Sequence, residues 1–470
     1  MTAVAPATKT IAVTDPSTGE VVGSIPASTP QDAARAVDAA RAAFPSWSRR
    51  DAADRASCLK EAARRLRGRV REVAELQTRE GGKPIGDSIG GVEAGVGALE
   101  QYAELGPLHS GRALAGSIGA TDLTVREPRG VVALLVPWND PVAIACQHIA
   151  AALVTGNTVI YKPSERTPLS GIMLAEILAL PDGALTLLPG DGRAGAALAE
   201  DERVDVVLHT GSVETGRKIA TTCGSALGRK ALLELGGKDP LIVDAGVDPK
   251  WAAEQAAAGS FANAGQICTS VERIYVHADV AEPFSAALAE RARAIRVGPG
   301  IDSATEMGPL VDERQLEIVE SQVREAIEAG ARALAGGERL NRAGCFYPPT
   351  VLADVDRSMR IMREETFGPV APIQVVPSFD AAIEEANASD YGLAASVLTP
   401  SQLNAQRAWR ELRAGTVKVN AVWGGAPGGA AEPRGNSGTG FGYGPDLLDE
   451  LTRAKVVHIE PAPLPASAGR

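Results

Sequence analysis

From about residue 30 to 460 the chain alternates short apolar runs with amphipathic stretches, without an internal repeat, a low-complexity tract or a long Pro/Ser linker. Short apolar runs bounded by turn residues read as buried strands, and VVALLVPW (131–138), NTVIYKP (157–163), LTLLPG (185–190) and VDVVLHTG (204–211) fit that description. Helical patterns separate them at Pro141–Leu153, Pro168–Leu180 and Ala194–Ala199. A second series comprises DPLIVDA (239–245), ERIYVHA (272–278), GPVAPIQVV (368–376), AASVLT (394–399) and GTVKVNAV (415–422). Within it, a helix over about 313–330 places Leu316, Val319, Val323 and Ile327 on one face. Upstream, Thr29-Pro30-Gln31-Asp32 supplies a hydroxyl cap, a first-turn proline and an acid ahead of an Ala-rich run to Phe44. Further helices are expected at about 50–79 and 90–104, and VVHIE (456–460) is the last strand-like run. Such β-α-β units predict interleaved α/β domains with parallel sheets, an arrangement that puts ligands at the carboxyl ends of strands.

Composition narrows the class. At 470 residues the chain has room for about three domains, or two large ones and an appendage. Hydrophobic residues at 45%, charged at 22% and aromatic at 4% are ordinary for a folded soluble protein. Lysine plus arginine at 47 against aspartate plus glutamate at 58 gives a net charge of −11, which disfavours nucleic acid and acidic lipid as partners. The five cysteines, Cys58, Cys146, Cys223, Cys268 and Cys345, are scattered, with no C-x-x-C and no zinc-like Cys/His spacing. Reduced thiols, a cytoplasmic setting and no metal site are expected. The first ten residues, MTAVAPATKT, carry no apolar core and read as a loose tail, and no run is long enough to span a membrane.

Candidate chemistry gathers in LELGGK (233–238) and FANAGQICTS (261–270), which hold Glu234 and Cys268, and in PWNDP (137–141), KPSE (162–165), HTGS (209–212) and EETFGP (364–369). In this order and spacing the set resembles the aldehyde dehydrogenase superfamily over roughly residues 12–460. The resemblance implies a Rossmann-type cofactor domain (1–106 and 129–235), an α/β catalytic domain (236–445) and a small β oligomerisation segment (107–128 and 446–470) that joins a homodimer or homotetramer. It implies that Cys268 attacks a small-molecule aldehyde, that Asn139 and a backbone N–H hold the oxyanion, and that Glu234 is the base that hydrolyses the thioester.

The implied cofactor is NAD, with NADP possible. Lys162 and Glu165 would hold the adenosine ribose, the carboxylate disfavouring a 2'-phosphate. Glu365 and Phe367 would hold the nicotinamide ribose, with Gln315 as another ribose contact. Val136, Pro137, Trp138, Ser164 and Leu235, in the same segments, would line the cleft. Gly190-Asp191-Gly192-Arg193-Ala194-Gly195 matches the G-x-G-x-x-G pattern of a pyrophosphate loop. The resemblance instead places the pyrophosphate at Gly211-Ser212, ahead of the next helix, and leaves Gly192 an adenine-side contact.

Some positions depart from the family pattern. Gln147-His148 stands where the family has Trp-Lys, Asp140 where an aromatic is usual, Ala431 where a pocket aromatic is usual, and Gly442 where a glutamate has been proposed as a proton relay. Asp140 is read either as the cap of the following helix or as a tunnel carboxylate that attracts cationic aldehydes, with Trp423 adding a cation-π wall and Arg434 arguing for a carboxylate substrate instead. A CoA-acylating semialdehyde dehydrogenase and a catalytically silent relative are the competing classes. Glu234 argues against the first, and intact Cys268, Glu234 and Asn139 argue against the second. The identity of the aldehyde is not legible.

Overall fold

The computed structural model describes residues 9–426 and 429–462. A six-stranded sheet runs in the order Gly438–Thr439, Lys230–Glu234, Val206–Thr210, Val131–Leu135, Thr158–Lys162, Leu185–Leu187. Every pairing in it is parallel except that of Gly438–Thr439, which lies antiparallel on Lys230–Glu234. Chain order therefore reverses between Val131–Leu135 and Val206–Thr210, the switch point where an open α/β sheet leaves a crevice. Helix Pro141–Val154 is apolar nearly all round and is correspondingly buried along its length.

A seven-stranded sheet follows in the order Arg332–Ala335, Thr350–Ala353, Val370–Val376, Val271–His277, Asp239–Val243, Ala394–Leu398, Thr416–Val419, antiparallel only at its first pair. Residues 235–238 alone join the last long strand of the first sheet to Asp239–Val243 of the second. The catalytic glutamate of the sequence reading thus sits at the hand-over between the two sheets.

VVHIE belongs to a longer strand, Thr452–Ile459, paired antiparallel with Thr121–Pro128 in a two-stranded ribbon. Apolar side chains on and beside this ribbon, Val456, Ile459, Leu114 and Ile118, are exposed. No helix among the described residues is long and apolar enough to cross a membrane.

Several elements differ from expectation. The helix expected over 50–79 is two, Ala52–Arg67 and Val70–Gly81, broken at Gly68-Arg69, and the next one begins at Ile85. The first sheet's opening strand stops at Leu135, and the third spans only Leu185–Leu187. In helix Glu313–Glu328 the buried face is Gln315, Leu316, Val319, Gln322, Val323 and Ala326, while Ile327 is 40% exposed. A polar Gln322 takes an inward position because its amide serves the loop beyond: Nε2 donates to the Glu365 carbonyl at 3.1 Å and Oε1 accepts from Thr366 at 2.8 Å. The hairpin Thr10–Thr14 with Val21–Pro26 was not anticipated, so the expected tail ends before Thr10; residues 1–8 lie outside the described ones. The Thr29 cap is present as a reciprocal capping box with Asp32.

One buried polar network fixes the approach of the second sheet to the cleft. Lys238, fully buried, donates to Glu272 at 2.7 Å and to the Thr366 hydroxyl at 2.9 Å. Glu272 also accepts from the Thr366 and Phe367 N–H groups, both at 2.8 Å. That clamp holds Phe367 at φ 51°, a left-handed conformation a bulky residue adopts only when its surroundings enforce it. Removing one partner of a buried pair strands the other charge, so Glu272→Ala is expected to destabilise the fold by about 3–5 kcal/mol. Glu214→Ala, which breaks the exposed pair with Lys218, should cost under about 1 kcal/mol when both variants are compared with the wild type by urea titration.

Candidate active site

Cys268 is presented by a strained loop. After helix Pro249–Phe261 the chain passes through Asn263 (φ 48°), Ala264 (φ 55°) and Gly265 (φ 71°) before reaching the cysteine. Three successive left-handed residues reverse the chain, and a Cβ on Gly265 would lie 2.0 Å from the Gly368 carbonyl oxygen. Gln266 locks the turn: its Nε2 donates to the Asn263 carbonyl at 3.0 Å and its Oε1 accepts from Val311 N–H at 2.9 Å. Burial, followed by the carboxylates of Glu234, Asp239 and Glu365, pushes the Cys268 thiol up to about 12, so the resting site holds a neutral thiol.

Asn139 follows the strand Val131–Leu135, and its Nδ2 donates to the Gln266 carbonyl at 3.1 Å. This is not the helix-cap geometry that an asparagine ahead of Pro141 would otherwise suggest. An amide nitrogen carries two N–H groups, so the contact fixes the Asn139 amide beside the cysteine loop while one N–H is still available. Glu234 ends the strand Lys230–Glu234, and its Oε1 accepts from Gly442 N–H at 2.9 Å. Burial raises its carboxyl to about 8, with the Gly442 hydrogen bond pulling the other way. That value suits a base working near neutral pH.

These three groups open on a cleft of about 1060 Å³. Each cofactor contact expected from the sequence also lines it: Val136, Pro137 and Trp138 after the first strand, Lys162, Ser164 and Glu165 after the second, Gly192, Gly211 and Ser212 at two helix starts, Leu235, and Gln315, Glu365 and Phe367 from the second sheet's side. Lys162 is buried, its Nζ donating to the Pro163 carbonyl at 2.9 Å and lying 3.5 Å from Glu165. Glu365 accepts from Gly237 N–H at 3.0 Å and is held above the usual carboxylate range by burial first and by Glu272 second.

The two glycine-rich helix starts differ as anion sites. At Gly192 the N-terminus is already occupied: Asp191 caps it from Arg193 N–H at 2.9 Å and pairs with the Arg193 guanidinium. A second anion there would meet the Asp191 carboxylate. At Val213–Gly224 the cap is the neutral Ser212, and Gly211 precedes it because a Cβ there would lie 2.6 Å from the His209 ring. Beside it the Thr210 hydroxyl is buried with no partner among the described residues. A pyrophosphate fits this second start, where free N–H groups and the helix dipole favour negative charge.

Several expectations are corrected. Asp140 does occupy the cap position of helix Pro141–Val154 but makes no capping bond; it pairs with Lys83 at 3.2 Å instead, and it is absent from the residues lining the cleft. Its backbone (φ −143°, ψ 63°) is off the usual cap geometry, which frees the carboxylate for the lysine. Trp423 is absent from the residues lining the cleft; Lys418 lies over one face of its ring at 5.4 Å and its Nε1 donates to the Ala258 carbonyl. Arg434 is exposed. Gln315 does line the cleft as expected; its Nε2 also donates to the Thr366 and Phe367 carbonyls, both at 3.0 Å, which ties it to the loop bearing Glu365 and Phe367.

Sequence reasoning passed over Arg166, whose guanidinium lies 5.3 Å over the Trp138 ring while pairing with Asp312 at 2.9 Å. Its neighbour Glu165 was the only signal. It also passed over Thr210, inside HTGS, and Arg217, Lys218 and Arg314, solvated-looking cations that the fold brings to the cleft. No cluster of metal-ligating side chains occurs among the described residues.

The sequence profile of the aldehyde dehydrogenase family matches residues 3–457. Among solved structures, betaine aldehyde dehydrogenase from Staphylococcus aureus in complex with NAD+ is 32% identical with a TM-score of 0.95, covering 100% of this chain and 95% of that one. Lactaldehyde dehydrogenase from Escherichia coli is 36% identical with a TM-score of 0.93, covering 96% of each chain. An NAD+ complex of an aldehyde dehydrogenase from Bacillus cereus is 34% identical with a TM-score of 0.94, covering 96% of this chain and 93% of that one. Profile and solved structures agree: the chain belongs to the aldehyde dehydrogenase family.

Proposed function

We propose that Cys268, Asn139 and Glu234 carry out the oxidation of an aldehyde to its carboxylic acid, with NAD and water as co-reactants. The observation that carries this reading is that a thiol, an amide donor and a buried carboxylate share one cleft with a helix N-terminus and the Lys162–Glu165 pair. Cys268 gives up its thiol proton to solvent water, its sulfur bonds to the carbonyl carbon as the C=O π pair moves onto oxygen, and that oxygen, now an anion, is met by Asn139 Nδ2–H. A donor pre-aimed at developing charge is worth about 3–4 kcal/mol. Bound NAD supplies the acceptor for the hydride whose loss leaves an acyl thioester on the cysteine. Glu234 then takes a proton from water as the water oxygen adds to the thioester carbon. The C–S bond breaks with its electron pair on sulfur, regenerating the thiolate and releasing the acid.

Residues of the cleft fit the dinucleotide. Gly211 and Ser212 leave a neutral helix start for the pyrophosphate, and Glu165, bound to Lys162, is placed to read the adenosine ribose. A fixed carboxylate repels a 2'-phosphate, which favours NAD over NADP. Glu365 and Phe367, held by the Lys238–Glu272 clamp, border the end of the cleft nearest Cys268. A competent base at position 234 also favours water over CoA as the acyl acceptor.

A general base contributes about 100-fold or more. Glu234→Gln is therefore expected to lower steady-state turnover by at least about that factor while a pre-steady-state burst of about one NADH per active site persists. Because the base acts deprotonated, wild-type turnover should rise with pH through a limb near 8, and the variant should lack that limb. Loss of the burst in step with the steady rate would contradict the base assignment. Glu165→Ala should narrow the NAD-over-NADP ratio of kcat/KM by about tenfold; an unchanged ratio would show that this carboxylate does not read the ribose.

A further inference from the structure

The two segments where the sequence departs most from the family pattern, Gln147-His148 and Gly442, are in direct contact. Gln147 Nε2 donates to the Gly442 carbonyl at 3.0 Å and His148 Nε2 donates to the same oxygen at 2.8 Å. On its other side Gly442 donates its N–H to Glu234 at 2.9 Å. We propose that Gln147, His148 and Gly442 form a positioning device for the deacylation base: two side chains of helix Pro141–Val154 clamp the Gly442 carbonyl, and the glycine so fixed aims its N–H at the Glu234 carboxylate.

Three features support this. A carbonyl oxygen has two lone pairs, and both are engaged by adjacent residues of one helix, which leaves the Gly442 backbone little freedom to turn. A carbonyl only accepts, so His148 must carry its proton on Nε2, while Nδ1 is buried without a partner among the described residues. An unpartnered buried nitrogen is costly, and what the ring gains in return is this one bond. Burial lowers the imidazole to about 4, so it stays a neutral donor across the working pH range. Finally, a Cβ at position 442 would lie 2.2 Å from Glu234 Cγ and 2.3 Å from its Oε1, so only glycine lets the carboxylate fold onto the backbone N–H.

The device rests on Glu234 being the base. A hydrogen bond to the ionised form favours it against burial, so the aimed N–H keeps a desolvated carboxylate able to accept a proton from water. The titratable groups facing Glu234 are the Cys268 thiol on the strained loop and, across Gly442, the neutral His148; Glu365 lies beyond Gly236. None is a cation, and among the described residues the Gly442 N–H is the one hydrogen-bond partner of the carboxylate.

The test uses the full-length enzyme with saturating NAD and aldehyde. His148→Leu and, at a half-buried site where folding is less at risk, Gln147→Met each remove one donor. The expected result is a steady-state rate about tenfold lower at pH 7.5 with the NADH burst retained, and a pH limb moved upward by about one unit. His148→Gln, which restores an amide donor, should recover most of the rate. The proposal is overturned if burst and steady rate fall together, or if both donor-less variants keep the wild-type limb. The base assignment is judged separately by Glu234→Gln: a lost limb there with an unmoved limb in the helix variants sinks the device alone.

Discussion

Backbone has to pass where no Cβ fits at each turn around Cys268, and the site depends on that constraint. Side chains at Gly236 and Gly237 would strike the Glu365 carboxylate at 2.3 Å and the Cys268 carbonyl at 2.6 Å; those at Gly265 and Gly442 would strike the Gly368 carbonyl and Glu234. The short connector 235–238 thus lets the second sheet's loops close against the end of the first. Glycine is the only residue that permits such approach, and in the left-handed turn at 263–265 that swings Cys268 to the cleft Gly265 uses the same freedom while Asn263 and Ala264 adopt it under constraint.

Close approach also sets the electrostatics. Burial where the two sheets meet raises both the Cys268 thiol and the Glu234 carboxyl, so the thiol stays protonated and the carboxyl, ionised in open solvent, is held protonated up to about pH 8. A neutral resting site avoids placing a thiolate among the carboxyls of Glu234 and Glu365. The same desolvation strengthens each fixed donor, which is why single N–H groups, from Asn139, Gly442 and Gly237, carry the positioning. The one full charge pair in this region, Lys238 with Glu272, is entirely buried and serves the loop bearing Glu365 and Phe367.

Much of this was legible in the sequence. The parallel strands announced themselves as apolar runs, and the three reactive groups together with several of the cleft residues sit in six short segments whose order and spacing carried the family resemblance. What periodicity missed has physical reasons. Strand Thr350–Ala353 follows a Gly/Pro-rich stretch that masks it, and the ribbon partner Thr121–Pro128 alternates polar and apolar residues without a buried face. Ile327 was assigned inward on spacing alone, whereas Gln322 holds the inner position because the Glu365 loop needs its amide. Asp140 looked like a cap from its place ahead of Pro141, and only tertiary structure could show that Lys83, 57 residues away, claims it. The link from His148 through Gly442 to Glu234 crosses nearly 300 residues and leaves no local trace.

The central claim is that acyl transfer passes through Cys268 and is completed by Glu234. It is tested most directly by acid-quenching the Glu234→Gln enzyme shortly after mixing with NAD and an accepted aldehyde, then measuring the intact mass and mapping the modified peptide. The account predicts a mass increase equal to the acyl group, on the peptide containing Cys268, in about one equivalent per chain. Steady NADH production with no adduct on that peptide, or an adduct on Cys146, Cys223 or another nucleophile, would contradict it.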